Sequence, residues 1–205
     1  MRITKAVFAG SSQKLEERPK AKLPEFAFIG RSNVGKSSLI NTLCSNDKLA
    51  KTSATPGKTL LINHFLINGS WYLVDLPGYG YAKISQKGRE NLTKMINGYI
   101  SNSQELALLF VLLDSRHPIQ KIDLEFLMAL GEAQVPFSII FTKGDKLGKN
   151  ALAAQVEANK KTLLQYWEEL PPIFVTSSET GFGKEDLLEY IESVLGIIKE
   201  NKNIY

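Results

Sequence analysis

The chain is short of several things, and each shortage removes a class of protein. It has one cysteine, Cys44, in 205 residues. A single thiol cannot close a disulfide within the chain, and that usage fits a reducing cytoplasm. The longest apolar run, Leu106–Leu113, has eight residues, whereas a membrane-crossing helix needs about 20. The N-terminus sets lysines around the short apolar stretch Ala6–Ala9 and lacks the hydrophobic segment of a secretory signal. Internal repeats and low-complexity blocks are missing too. What remains, 43% hydrophobic and 22% charged residues, suits a folded globule and not a disordered chain. The expectation is one cytoplasmic α/β domain that does not span a membrane.

The net charge of +4 is an average over two unlike halves. Residues 1–94 carry 15 basic and 6 acidic side chains, a net of +9, and residues 95–205 carry 10 and 15, a net of −5. Either the first half meets a polyanion such as phosphate or nucleic acid, or solvated side chains have clustered there by chance.

Short β-like runs alternate with longer helical ones. Strands are expected at Phe26–Ile29, Leu60–Ile67, Trp71–Asp75, Leu106–Asp114, Phe137–Thr142 and Ile173–Thr176, with a possible extra one at Ile3–Phe8. Helices are expected at Gly35–Cys44, Lys87–Ser101, Ile119–Ala133, Asn150–Glu169 and Gly183–Lys199. Asn68-Gly69 lies between two strand runs and signals an antiparallel hairpin. The remaining strands alternate with helices and should be parallel. The fold expected is a three-layer, doubly wound α/β fold, its mostly parallel mixed sheet covered by helices on both faces, with ligands at the strand C-termini. Residues 1–22 read as an N-terminal extension, 23–199 as the domain and 200–205 as a fraying tail.

The strongest local signal is Gly30-Arg31-Ser32-Asn33-Val34-Gly35-Lys36-Ser37, a glycine, four residues, then Gly-Lys-Ser, placed after a strand and opening a helix. Gly30 and Gly35 let successive backbone N–H groups curl around phosphates, and the helix N-terminus adds partial positive charge. Lys36 would reach the β/γ oxygens, and the Ser37 hydroxyl would ligate Mg²⁺. Asp75-Leu76-Pro77-Gly78 ends a strand, supplying a carboxylate that holds Mg²⁺ through water and a glycine N–H for a γ-phosphate. Thr142-Lys143-Gly144-Asp145 ends another. Asp145 can accept both hydrogens offered by guanine N1 and N2, which adenine lacks, so an ATPase or nucleotide kinase is disfavoured. Lys143 would lie along the base, and Ser177-Ser178 would close the pocket near guanine O6.

These residues resemble the translation-factor-type GTPases, within them the Era/TrmE-like branch, and specifically the EngB (YihA/YsxC) family. The resemblance spans about residues 24–195 and rests on Gly30 to Asn41, Thr55-Pro56-Gly57-Lys58-Thr59, Asp75 to Ala82 (Asp-Leu-Pro-Gly-Tyr-Gly-Tyr-Ala) and Asp114-Ser115-Arg116-His117-Pro118. It implies a GTP-binding protein of large-ribosomal-subunit assembly, needed for normal division and septation. It also implies nucleotide contacts over Gly30–Ser38, Gly57–Leu61 (Gly57, Lys58, Thr59, Leu60 and Leu61), Asp75–Gly78, Thr142–Asp145 and Thr176–Ser178. By the same resemblance Thr59 joins Ser37 on Mg²⁺ when GTP is bound. Thr142 stands where many GTPases have an Asn that ties this loop to the P-loop, which leaves a looser base site open, and Gly144 is small for its slot.

Tyr79 occupies the position where many GTPases place a water-orienting Gln, and Asp47–Leu60 holds no arginine, so intrinsic hydrolysis should be slow. Lys36, Thr59 and Gly78 are the expected catalytic groups. Asn33 either helps hold a K⁺ that substitutes for an arginine finger or caps its own loop. Lys48, Lys51 and Lys58, then Lys83, Lys87, Arg89 and Lys94, flank the two segments expected to move with nucleotide state. With Tyr79 and Tyr81 they form a candidate RNA-facing surface; alternatively the tyrosines pack the loop and the lysines are merely solvated. Cys44 reads as core, and His117 as a structural hydrogen-bonder at a helix start. The reading is a slow, monomeric GTPase switch engaging the large ribosomal subunit. The alternative is a nucleotide-gated scaffold in division with incidental hydrolysis.

Overall fold

Strands whose large apolar side chains point alternately to both faces must be covered twice, and this chain solves the problem with two helical layers. The computed structural model describes residues 1–51, 60–80 and 85–202. Seven strands are described: β1 (Ala6–Ser12), β2 (Glu25–Gly30), β3 (Ile62–Ile67), β4 (Trp71–Asp75), β5 (Leu106–Asp114), β6 (Phe137–Thr142) and β7 (Ile173–Val175). The helices are α1 (Lys36–Cys44), α2 (Gln86–Asn102), α3 (Lys121–Glu132), α4 (Lys149–Leu163) and α5 (Lys184–Lys202). The sheet order is β1-β3-β4-β2-β5-β6-β7, parallel from β4 to β7, with β3 antiparallel to both of its neighbours.

The pleat sorts the core. Phe26, Phe28, Phe110 and Leu112 face Leu39, Ile40 and Leu43 of α1 and Leu187, Leu188 and Ile191 of α5. Their neighbours Ala27, Ile29, Leu109 and Val111 face α2, α3 and α4 through Leu92, Ile96, Leu127, Leu130 and Val156. Because β2 and β5 lie centrally with both faces buried, their C-terminal ends form a fixed floor for the loops that follow.

The hairpin forms as expected: Asn68 and Gly69 have φ of 49° and 66°, both positive, as a type I′ turn requires. Several boundaries differ from expectation, among them the end of α5, which runs to Lys202 and takes in residues read as tail. The first strand is Ala6–Ser12 and not Ile3–Phe8, because Asn68 Oδ1 takes the backbone N–H groups of Thr4 and Lys5 (2.9 and 3.1 Å) and pairing with β3 then runs to Ser12. β3 starts at Ile62, two residues later than Leu60. α4 stops at Leu163, six residues short of Glu169, in a tight turn where Tyr166 and Trp167 both donate to the Leu163 carbonyl. That turn brings Trp167 against Phe137 at 6.4 Å.

Candidate nucleotide site

β2 ends at Gly30, and the loop beyond it is possible only without side chains at certain points. A Cβ on Gly30 would stand 2.8 Å from both the Leu112 carbonyl oxygen and Val34 Cγ1. Asn33 and Gly35 take φ of 62° and 103°, turning the backbone so that α1 begins with a hydrogen bond from Leu39 to the Gly35 carbonyl (2.9 Å). Lys36 and Ser37 fall on the first turn of α1. Asp75 ends β4, which pairs directly with β2, so its carboxylate reaches the Lys36 ammonium in an ion pair.

The chain after Asp75 keeps following the loop after β2. Leu76 N–H donates to the Phe28 carbonyl and Tyr79 N–H to that of Gly30, each at 3.0 Å, and Arg31 and Tyr79 form one further parallel bridge. Gly78 lies flat on the loop, where a Cβ would meet the Gly30 oxygen at 2.9 Å. The Tyr79 ring turns inward, with its hydroxyl donating to Asp123 Oδ1 at 2.9 Å and its face stacked on Phe126 at 4.7 Å. Burial first, and then the Asp123 carboxylate, push its phenol far above the usual value, so it remains protonated. Of the two readings of Tyr79, packing is the one observed: only 8% of it is exposed, and it cannot stack on an external base in this conformation.

On the other side of the loop, Thr142 makes the tie expected of an Asn. Its hydroxyl donates to the Val34 carbonyl at 2.6 Å, so the base-side loop is not loose at this point. Lys143 Nζ donates to the Asn33 carbonyl at 2.9 Å and pairs with Asp114 at 3.0 Å. Asp114 is also forked by Arg116, at 2.9 and 2.8 Å. Burial raises the Asp114 pKa, but the hydrogen bonds from Arg116 and Lys143 outweigh it and hold the carboxyl well below its usual range. Asp145 accepts from the Ser177 hydroxyl at 2.7 Å and pairs with Lys146 at 2.9 Å, and both contacts depress its pKa. Gly144 is small for a packing reason: a Cβ there would lie 3.2 Å from Val175 and 3.3 Å from the Thr176 oxygen. Thr176 and Ser177 are buried, and the Ser178 carbonyl accepts from Thr42.

The expected residues of two phosphate-side segments, Gly30–Ser38 and Asp75–Gly78, and of two base-side segments, Thr142–Asp145 and Thr176–Ser178, therefore converge at the C-terminal ends of β2, β4, β6 and β7. Ser32 and Arg31 are half-buried, Ser38 is exposed, and Leu60 packs against the core below. Pro77 is buried with Leu76, while Leu61 is half-buried. Gly57, Lys58 and Thr59, as well as Tyr81 and Lys83, lie outside the described residues. Asn33 is exposed, and among the described residues its side chain makes no hydrogen bond, so the loop is not capped by it. Lys48, Lys51, Lys87, Arg89 and Lys94 are exposed and, among the described residues, make no ion pair. Cys44 is core, its thiol pushed up to about 12 by burial. At His117 it is the backbone that is used, its carbonyl accepting from Asn159 at 3.2 Å.

Sequence reasoning passed over Asp123 and the positioning of Lys143 by Asp114. Gln120 and Asp123 stand three apart at the start of α3 and form a capping box, a spacing that marks Asp123 as a cap. Nothing local marks its partnership with Tyr79. Asn41 was read only as motif; its buried amide binds the backbone of Asp47 and Ala50 and sets the chain's exit from α1.

Of the described residues, Asp75 offers a carboxylate and Ser37 a hydroxyl on the phosphate side. Among the described residues no cluster of three or more His, Cys, Asp or Glu could cage a metal alone. So sparse a set of hard oxygens fits Mg²⁺, which keeps waters and takes its remaining ligands from substrate phosphates.

Sheet order, the glycine loop opening α1 and the strand-end carboxylates together define a P-loop GTPase domain. A family model described as 50S ribosome-binding GTPase matches residues 25–143. The probable GTP-binding protein EngB of Porphyromonas gingivalis is 58% identical over 194 residues, covering 95% of this chain and 96% of that protein. The crystal structure of a probable GTP-binding protein EngB superposes with a TM-score of 0.61 at 25% identity, over 83% of this chain and 97% of the other. Era in complex with MgGDPNP and a fragment of 16S ribosomal RNA shares the fold, with a TM-score of 0.64 at 20% identity over 82% of this chain and 55% of Era. The chain belongs to the EngB family of GTP-binding proteins and is a GTPase.

Proposed function

We propose that this GTPase hydrolyses GTP slowly and uses its nucleotide state to gate engagement with the large ribosomal subunit during assembly, and that normal division and septation depend on it. The protein acts as a cytoplasmic monomer whose GTPase domain is residues 23–199, with 1–22 an extension and 200–205 a tail. The observation that carries this is the cross-linking of phosphate side and base side: Thr142 and Lys143 both bind the carbonyls of the loop that opens α1, within reach of Lys36 and Asp75. The family description, a 50S ribosome-binding GTPase, supports the ribosomal reading.

In this reading the backbone N–H groups of Gly30–Ser38 wrap the α- and β-phosphates. Lys36 exchanges Asp75 for β/γ oxygens. Ser37 and Thr59 would hold Mg²⁺, with Asp75 acting through water; the ion would neutralise charge on the bridging and γ oxygens. Gly78 offers its N–H to the γ-phosphate, and Gly57, Lys58, Leu60, Leu61, Leu76 and Pro77 would be further nucleotide contacts. Asp145, already oriented by Ser177, reads guanine N1 and N2, with Lys143 along the base face and Gly144, Thr176 and Ser178 closing the pocket. Tyr79 is turned inward onto Asp123 and Phe126, so its side chain would not orient the attacking water, and slow turnover is expected. Asn33 would help hold a K⁺ beside the β/γ bridge; turnover equal in KCl and NaCl, with and without Asn33→Ala, would dismiss that role.

The deciding experiment mixes the protein with large ribosomal subunits in GTP, GDP or a non-hydrolysable GTP analogue and sediments them. Co-sedimentation with the GTP-loaded form, and faster phosphate release with subunits present, are expected. Absence of both would favour a scaffold in division over an assembly switch.

A further inference from the structure

Asp123 lies far from Gly30 in sequence yet touches both segments that enclose the phosphate side. It is only 3% exposed. Its Oδ1 accepts from the Tyr79 hydroxyl at 2.9 Å and pairs with Arg31 Nε at 3.3 Å, and its Oδ2 accepts from the backbone N–H of Gln120 at 3.3 Å. One buried carboxylate thus joins the loop after β2, the segment after β4 and the start of α3. Gly80, which follows Tyr79, has φ of +75°, and a Cβ there would meet Ile122 Cδ1 at 3.3 Å.

We infer that Asp123 is a positioning residue that acts through Tyr79 to place the Gly78 N–H, and thereby sets the affinity for GTP relative to GDP. The inference rests on the nucleotide reading above. Gly78 sits between Asp75, which is fixed by β4, and Tyr79, which is fixed by Asp123. A buried hydrogen bond to an ionised carboxylate is stronger than a neutral one and directional. Without it the Tyr79 ring keeps its stack on Phe126 but loses its terminal anchor, and the backbone one residue earlier gains freedom. A γ-phosphate must then order that backbone as it binds; GDP, held by the loop that opens α1, makes no such demand. Arg31 shares the same oxygen, so the loop and Gly78 are referenced to one point.

The test uses Tyr79→Phe, which removes only the hydroxyl, and Asp123→Asn, which keeps the shape and discards the charge. Affinities for GDP and for a non-hydrolysable GTP analogue are measured by titration on the full chain, alongside thermal melting. In both variants the analogue should bind about three- to tenfold more weakly relative to GDP, while Tyr79→Phe melts near the wild type. Equal weakening for both nucleotides would mean a merely structural contact and overturn the inference, as would an unchanged ratio. If Asp123→Asn fails to fold, Tyr79→Phe alone decides. A wild-type protein that binds ATP as tightly as GTP would instead refute the nucleotide reading, a result visible before any variant is made.

Discussion

Charged side chains gather at both ends of β2, and the two gatherings behave differently. At its N-terminal end Glu25 is 5% exposed and saturated: it accepts from Tyr99 at 2.5 Å, Ser103 at 3.0 Å and Arg18 at 3.5 Å, and faces His64 Nε2 at 3.3 Å. Burial pushes its pKa up, but hydrogen bonds from His64 and Tyr99 more than reverse this, leaving it below the ordinary value. At the C-terminal end the pairs Lys36–Asp75, Lys143–Asp114 and Lys146–Asp145 are all partly open to solvent. The closed cluster ties together β2, β3, α2 and the segment after β1. The open one ties loops whose partners can be exchanged. Ion pairs that a ligand can take apart belong at the functional end; those gathered on one saturated, buried carboxylate hold the framework.

The comparison breaks first at Lys36. Lys36→Ala should cut phosphate release about 100- to 1,000-fold with cooperative melting retained, since one preorganised cation on the transferring group is worth that much. Wild-type turnover would place the chemistry elsewhere. Next, Asp145→Asn should weaken GTP binding about 100-fold and favour XTP, whose C2 carbonyl can accept from the Asn amide where guanine N2 instead donates to the carboxylate; competition titration with both nucleotides reads the switch. At the closed end, Glu25→Gln should cost about 2 kcal/mol in urea unfolding while leaving the GTP-to-GDP affinity ratio unchanged. The sign with pH is fixed: a carboxyl depressed by folding stabilises above its ordinary value of 4.5. That advantage is lost as acidification passes through the lower folded value, so wild type and variant should converge in acid. The smallest effect belongs to Thr142→Val, which should lower GTP and GDP affinity alike by about threefold to tenfold through one lost hydrogen bond.

The nucleotide end was legible in the sequence because its constraints are local. A backbone that curls around phosphate needs glycine at fixed spacing, and strand-end carboxylates follow apolar runs that announce the strands. What escaped was decided across the fold. Thr142 reads as a poor substitute for Asn until Val34 is seen to offer its carbonyl to the hydroxyl. Tyr79 has two equal readings until α3 brings Asp123 beneath it. The first strand slipped by three residues because Asn68, more than 60 positions away, captures Thr4 and Lys5. α4 looked longer because the residues after Leu163 keep a helical pattern while Trp167 finds better contact on Phe137.

The chain's two tryptophans sit in places that differ as much as the two ends of β2. Trp71 is fully buried in the α1/α5 layer, edge-on to Phe26 at 5.3 Å. Trp167 lies over Gly131, whose missing Cβ would stand 3.3 Å from its indole nitrogen, on the last turn of the helix whose first turn carries Asp123. Excited together, the two give a red shift when the whole molecule opens. A change in emission from Trp167 alone reports a displacement of α3, so the protein carries its own optical gauge of the helix that anchors Tyr79.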